Sequence, residues 1–454
     1  MLEVSLASTR IGRRAVVIGA GMAGLPAARA LADFFEEVVV LERDALPPNA
    51  APRVGTPQAR HTHALLNGGQ RALGELFPGF VDDLAAAGAV AYGVGRDIRY
   101  ERPGFDPFPA RDLGLAGYAM SRPLIELAVR RRVEQRANIL IRASCRAREM
   151  VGVTERAAVS AVRIENRDGN DETLAADLIV EASGRGALSL GFLAASGRPC
   201  PEETVIGVDI TYATQTFAVP DSAPAGWKGV MTFDDPAEGG LAGVMLPLEG
   251  KRWIVTLVGR HGERPPDDRE GFLAYAERLR TPTIHDAIRR AEPLTPVARF
   301  GFPASVRRHF DRLDEFPRGL LPFGDAICRF NPVYGQGMSV AAQEALLLRR
   351  LLCLRCNEPD ALAGLAAAFF AEAAALIETP WALAALPDLA HPKATGERPD
   401  DLEERLRFAA ALNRLAADDP AIHRLLFEVL QLVKPMSVLR EPELVERAKT
   451  LAAA

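Results

Sequence analysis

Cysteine is scarce in this chain, with five in 454 residues. The number is odd and the positions are scattered, which argues against a secreted disulfide framework and for a reducing, cytoplasmic setting. Basic charge is not in surplus. The net charge is −5, so a general nucleic-acid binder is not expected. Long apolar runs are missing as well. No stretch of 18 consecutive apolar residues occurs, and the Ala-rich segment 362–377 is interrupted by Glu372, so it reads as a core helix and not as an integral membrane span. Residues 1–14 lack the apolar core of a secretory signal. No Ser-His-Asp or paired-carboxylate constellation stands out, which leaves difficult chemistry to a cofactor. Oligomeric state is not legible.

What is present suits a globular protein of two or three domains, with 48% apolar and 25% charged residues. The run Arg14–Ile18 predicts a strand, residues 25–31 an Ala-rich helix and Glu37–Leu41 a second strand. Between the first strand and the helix stands Gly19-Ala20-Gly21-Met22-Ala23-Gly24, a GxGxxG turn in a βαβ unit. Such a turn brings backbone amides and a helix N-terminus to a pyrophosphate. Glu42, at the end of the second strand, is placed to accept ribose hydroxyls, with Arg43 beside it. This half of the pattern suits NAD or FAD equally.

The far end of the chain decides between them. Gly324-Asp325-Ala326 follows an apolar strand at 319–323, and Gly335-Gln336-Gly337-Met338 opens a helix over 339–352. A second acidic residue after a strand suits a ribityl or ribose hydroxyl. A second glycine-rich helix start suits the electron-rich end of a reduced flavin. Two such sites so far apart imply one long ligand, which favours FAD. Between them, residues 205–258 read as antiparallel strands, followed by a helix over 269–280. The expected organisation is a first part of an FAD-binding domain at 13–200, a β-rich substrate domain at 201–295, the second FAD part at 296–378 and a helical region at 379–454. The fold class is α/β: a Rossmann-like, glutathione-reductase-type FAD domain with an inserted antiparallel β domain and C-terminal helices.

With these motifs the chain resembles the group A, para-hydroxybenzoate-hydroxylase-like FAD monooxygenases over residues 15 to about 352. Ser121-Arg122-Pro123-Leu124 looks like that family's arginine-bearing, FAD-contacting helix start. Gln58-Ala59-Arg60-His61-Thr62-His63, Asp177 to Gly186 and Phe330-Asn331-Pro332-Val333-Tyr334-Gly335 resemble the bacterial polyether-epoxidase-like subgroup. The resemblance implies an enzyme that takes electrons from NADPH, NADH or a separate flavin reductase and binds O2. It implies transfer of one oxygen atom from a flavin C4a-hydroperoxide to a small apolar organic substrate, by hydroxylation or epoxidation. Arg60, His61 and Arg122 become FAD-contact candidates, and Asn331, Pro332 and Tyr334 candidates for the flavin's reactive face. Ser183-Gly184 departs from the family's Asp-Gly, and Trp381-Ala382-Leu383 lacks the paired tryptophans of flavin halogenases. Two alternatives stay open: an FAD-dependent reductase of isoprenoid-type double bonds, and a non-catalytic FAD-binding protein.

Other features have bland readings. His61 and His63 lack nearby carboxylate or cysteine partners, which is weak for a metal site. Cys353 and Cys356 form a CxxC near the end of an apolar helix, away from a βαβ start, and read as packing residues. The apolar face formed by Ala421, Ile422, Leu425, Leu426, Val429, Leu430 and Val433 reads as packing on the main body, with a lid over an apolar pocket, a dimer face and a membrane-surface patch as alternatives.

Overall fold

The computed structural model describes residues 10–153, 158–235 and 240–453. The expectation about a signal segment at the N-terminus falls largely outside them.

β-Branched runs bounded by glycine make the strands of a five-stranded, all-parallel sheet. Its order is Leu320–Pro322, Leu178–Glu181, Gly12–Ile18, Phe35–Glu42 and Ile139–Ala143. Both faces are covered, as the continuous burial of Ala15 to Ile18 and Val38 to Glu42 requires. The helices Gly24–Leu31, Arg122–Glu134 and Gly337–Arg355 pack on one face. A three-stranded antiparallel sheet, Arg146–Val153, Ala158–Glu165 and Asp171–Ala175, covers the other. Its second hairpin closes through Asn166, whose side chain accepts from the amides of Asp168 and Asn170.

The segment read as antiparallel strands forms the centre of a seven-stranded sheet. Glu203–Ala218, Arg252–Arg260, Ala242–Leu248 and Gly229–Thr232 lie in that spatial order. Ala298–Arg308 and Cys328–Arg329 extend one edge, and Ile98–Glu101 adds a parallel strand at the other. One face of this sheet is buried by the helices Arg269–Glu277 and Thr283–Ile288.

The prolines beyond residue 379 predict breaks, yet one helix runs unbroken from Leu365 to Ala390 with Pro380 and Pro387 inside it. Its buried positions, Phe369, Phe370, Ala373, Ile377, Pro380, Ala384 and Asp388, recur at helical spacing. Packing along that stripe outweighs two missing hydrogen bonds. By length and composition this is the one helix among the described residues that could cross a membrane. Its first half is instead built into the main core. The helices Leu402–Asp418, Pro420–Leu430 and Pro442–Ala453 complete the chain and bury Leu412, Leu426, Phe427 and Val429 against Val94, Phe108 and Leu115.

Candidate functional site

The first glycine turn leaves the C-terminal end of the strand Gly12–Ile18, the edge where parallel sheets bind ligands. Gly24 is required for packing: a Cβ there would overlap the carbonyl oxygen of Gly19. Gly21 faces open space, with only the Arg53 guanidinium within reach, 3.9 Å from where a Cβ would stand. Met22 is buried and Ala23 half-buried. Strand order puts Leu320–Pro322 in the same sheet, so the two glycine motifs meet. A Cβ on Gly324 would come within 2.8 Å of the Ala23 methyl.

Asp325 follows in a pocket where burial pushes its carboxyl up to about 6, against the pull of Arg329 and Arg122. Behind it, on the helix Gly337–Arg355, Glu344 is fully buried and accepts from the Gly324 amide at 2.8 Å. Burial pushes Glu344 up to about 8, so it is largely a neutral acid at pH 7.

Glu42 is 4% exposed and already engaged. It accepts from the amides of Ala20 at 2.9 Å and Asp44 at 3.0 Å and pairs with Arg53 at 3.1 Å. The same Arg53 reaches Asp44 at 3.0 Å and Glu126 at 2.8 Å. Glu126 then holds Arg122 at 2.9 Å, one turn back on its own helix, whose N-terminus Ser121 caps. Burial works to raise the Glu126 carboxyl, but Arg122 and Arg53 outweigh it and hold it below the usual range. Arg53 and Glu126 escaped the sequence reading. Arg53 is one arginine in a Pro- and Ala-rich connection, and the only local signal for Glu126 is its spacing of four from Arg122. Arg43 and Arg60, both predicted contacts, are exposed.

The predicted loop His61–His63 is brought against the second helix start. His61 Nδ1 lies 2.7 Å from Thr214 Oγ1 on the large sheet, and Thr62 bonds Thr256 on the adjacent strand. Burial and the nearby Arg60 charge lower His61 to about 4. Burial and Arg122 lower His63 to about 3. Both rings are therefore neutral near pH 7, and among the described residues no metal-ligating cluster forms. Beyond the loop, Leu66 donates to Ser339, and Gly335, at φ +66°, would set a Cβ 3.2 Å from Ala64.

Gln336 is 3% exposed, and its Oε1 has no partner among the described residues. Gly337 and Met338 beside it are half-buried. Pro332 and Tyr334 border a cavity of about 1900 Å³, whereas Asn331 is fully buried and turns its amide to Asp388. Met231, Val244, Leu246 and Val258 of the large sheet form one wall, Trp381 and Leu389 another, and Leu412, Leu426 and Phe427 the cover. The C-terminal helices therefore line one side of the cavity, which is partly open to solvent, as well as packing on the body. Cys353 is exposed and Cys356 half-buried, both free and remote from this lining.

These residues fit FAD. An open glycine and a helix N-terminus suit a pyrophosphate, Asp325 lies beside the second helix start, and there a buried amide oxygen of Gln336 has no partner among the described residues.

No protein-family model matches the chain. Among solved structures, the flavin-dependent brominase Bmp2 superposes with a TM-score of 0.68 at 13% identity, covering 97% of this chain and 98% of that one. The p-nitrophenol 4-monooxygenase PnpA from Pseudomonas putida superposes with a TM-score of 0.64 at 16% identity, covering 93% and 99%. These likenesses establish a shared fold. Protein Rv3254 of Mycobacterium tuberculosis is 34% identical over 404 residues, which is 84% of this chain and 81% of the relative. The chain thus belongs to the same family as Protein Rv3254, on the fold that it shares with Bmp2 and PnpA.

Proposed function

We propose that this chain is an FAD-dependent monooxygenase acting on an apolar organic molecule. The observation that carries the reading is the contact of Gly324 with Ala23. It brings the two glycine motifs together, and the second of them leads into a helix start, Gly335 and Gln336, that borders a large cavity. This arrangement suits a ligand of FAD's length, with its reactive end at the cavity. Bmp2 and PnpA, by their names a flavin-dependent brominase and a monooxygenase, give the same fold comparable chemistry.

In this reading the turn from Gly19 to Gly24 and Arg122 hold the pyrophosphate end. Asp325 and the turn from Gly335 to Met338 hold the other end, within the division into 13–200, 201–295, 296–378 and 379–454 given above. Bound FAD would supply the redox chemistry: one atom of O2 enters the substrate, the other leaves as water, and NADPH or NADH furnishes two electrons, directly or through a separate flavin reductase. The protein's part is to exclude water, through the aliphatic walls and the helical cover. Neutral His61 adds no charge to the cavity rim. Hydroxylation and epoxidation, the latter by likeness to the polyether epoxidases, both suit this apolar space. All five cysteines are unpaired, in keeping with a cytoplasmic setting.

Purified protein should be yellow, and NADPH or NADH under air should bleach and then restore its flavin spectrum. With 18O2, the product should gain one labelled atom. Colourless protein that takes up no FAD would sink the reading. Anaerobic saturation of an isoprenoid double bond without oxygen uptake would favour the reductase instead.

A further inference from the structure

We propose that Asp388 is a positioning residue: from the last turn of the helix Leu365–Ala390 it fixes Asn331 and Tyr334, and with them the loop that opens the helix Gly337–Arg355. The inference rests on the proposed function, because it gives that loop the reactive end of the cofactor.

Asp388 is 1% exposed, and three side chains from two other elements converge on it. Arg260, from the end of the strand Arg252–Arg260, pairs with Oδ1 at 3.0 Å. The Asn331 amide donates to both carboxylate oxygens, at 2.9 and 3.0 Å. The Tyr334 hydroxyl donates to Oδ1 at 2.8 Å. Asn331 Oδ1 then accepts from the Val333 amide at 3.1 Å and closes the turn. Both Asp388 oxygens, the Asn331 amide and carbonyl and the Tyr334 hydroxyl are engaged, while Arg260 Nε has no partner among the described residues. An aspartate at 331 would set carboxylate against carboxylate, and a leucine would strip the turn of its cap.

The Tyr334 hydroxyl lies between Asp388 and the Arg260 guanidinium, committed to both. Burial, reinforced by Asp388, raises this phenol well above its ordinary range. With its hydroxyl committed, Tyr334 borders the cavity through the rest of its side chain. On either side of Asp388 the helix presents Leu386, Pro387, Leu389 and Ala390 to the same cavity. One helical turn thus builds the cavity wall and secures the loop at its floor. A buried carboxylate with this many donors restricts geometry strongly, whatever its net contribution to stability.

The test uses the full-length chain with Asp388→Asn and with the charge-balanced pair R260Q/D388N, which keeps folding separable from positioning. Hydrogen–deuterium exchange of peptides covering 331–336 and 12–24 is compared with wild type, with and without added FAD. The visible spectrum of bound FAD is also recorded. The expected result is at least a tenfold rise in exchange at 331–336, unchanged exchange at 12–24 and a shifted flavin band. Unchanged exchange at 331–336 overturns the proposal, as does a uniform rise across the chain, which would mark a purely structural ion pair. If the wild type takes up no FAD, the functional reading fails, and the exchange comparison still decides whether Asp388 positions the loop.

Discussion

Two glycines three positions apart, Gly21 and Gly24, serve different ends, and substitution separates them. At Gly24 any Cβ collides with backbone, so Gly24→Val should cost about 3 kcal/mol in unfolding and lose flavin with the fold. At Gly21 there is room for a methyl, so Gly21→Ala should leave the melting temperature near wild type while weakening FAD binding about 10-fold or more, as read by titration. The glycine spacing was legible in sequence because a tight turn and a close backbone approach each demand that residue. The sign of each effect was not, because it depends on what lies opposite. Glu344 was wholly illegible: a glutamate in an apolar helix looks like a surface position until the Gly324 amide is found beside it. Its folded-state carboxyl lies near 8, well above the unfolded value of about 4.5. Its stabilising contribution is therefore present in full below about pH 4.5 and is lost as pH rises toward 8. Glu344→Gln removes that loss, and should gain about 2 kcal/mol over wild type at pH 8 but little at pH 5, by chemical denaturation at the two pH values.

At the scale of elements, the connection after the second strand is a clamp more than a linker. Arg53 is shared among Glu42, Asp44 and Glu126 and so ties this loop to the strand end and to the helix Arg122–Glu134. Arg53→Met leaves three carboxylates facing one another, and should destabilise by about 3–5 kcal/mol and weaken FAD retention during gel filtration. Arg53→Lys should rescue little, since an ammonium cannot span three partners as a planar guanidinium does. Strands and helices with clear periodicity were readable. The strand Ile98–Glu101 and the strand Cys328–Arg329 were not, being too short to show alternation; the large sheet recruits them by pairing alone. The unbroken passage of a helix through Pro380 and Pro387 was also hidden, because the packing stripe that sustains it is tertiary.

For the molecule as a whole, the cavity is made where the large sheet, the second helix start and the C-terminal helices face each other. Composition announced an apolar interior, but a cavity is a property of the assembly, and so is its cover. Phe427 is 1% exposed, stacks edge-on against Tyr100 and His423, and lines the cavity. Phe427→Ala should cost about 3–5 kcal/mol and, in enzyme turning over NADPH, raise the share of electrons lost as hydrogen peroxide. The molecule should also be sensitive to acid. His61 and His423, lowered to about 4, and His63, lowered to about 3, stay neutral in the fold but would take protons below about pH 6.5 once unfolded. Their contribution is complete above that pH and drains away as pH falls toward 4, a slope that a melting series between pH 7 and pH 4.5 would show.

The contact of Gly324 with Ala23 also bears on how the protein is made. The two halves of the site are separated by about 300 residues of chain, and the edge strand Leu320–Pro322 is the last to join its sheet. A ribosome therefore releases most of the polypeptide before the site can exist. Until then the strand Leu178–Glu181, buried at every position in the finished protein, lacks its neighbour and exposes an unpaired apolar edge. Cofactor loading must therefore wait until the chain has been made past Gly337, and up to that point the edge of the strand Leu178–Glu181 needs shelter from other chains.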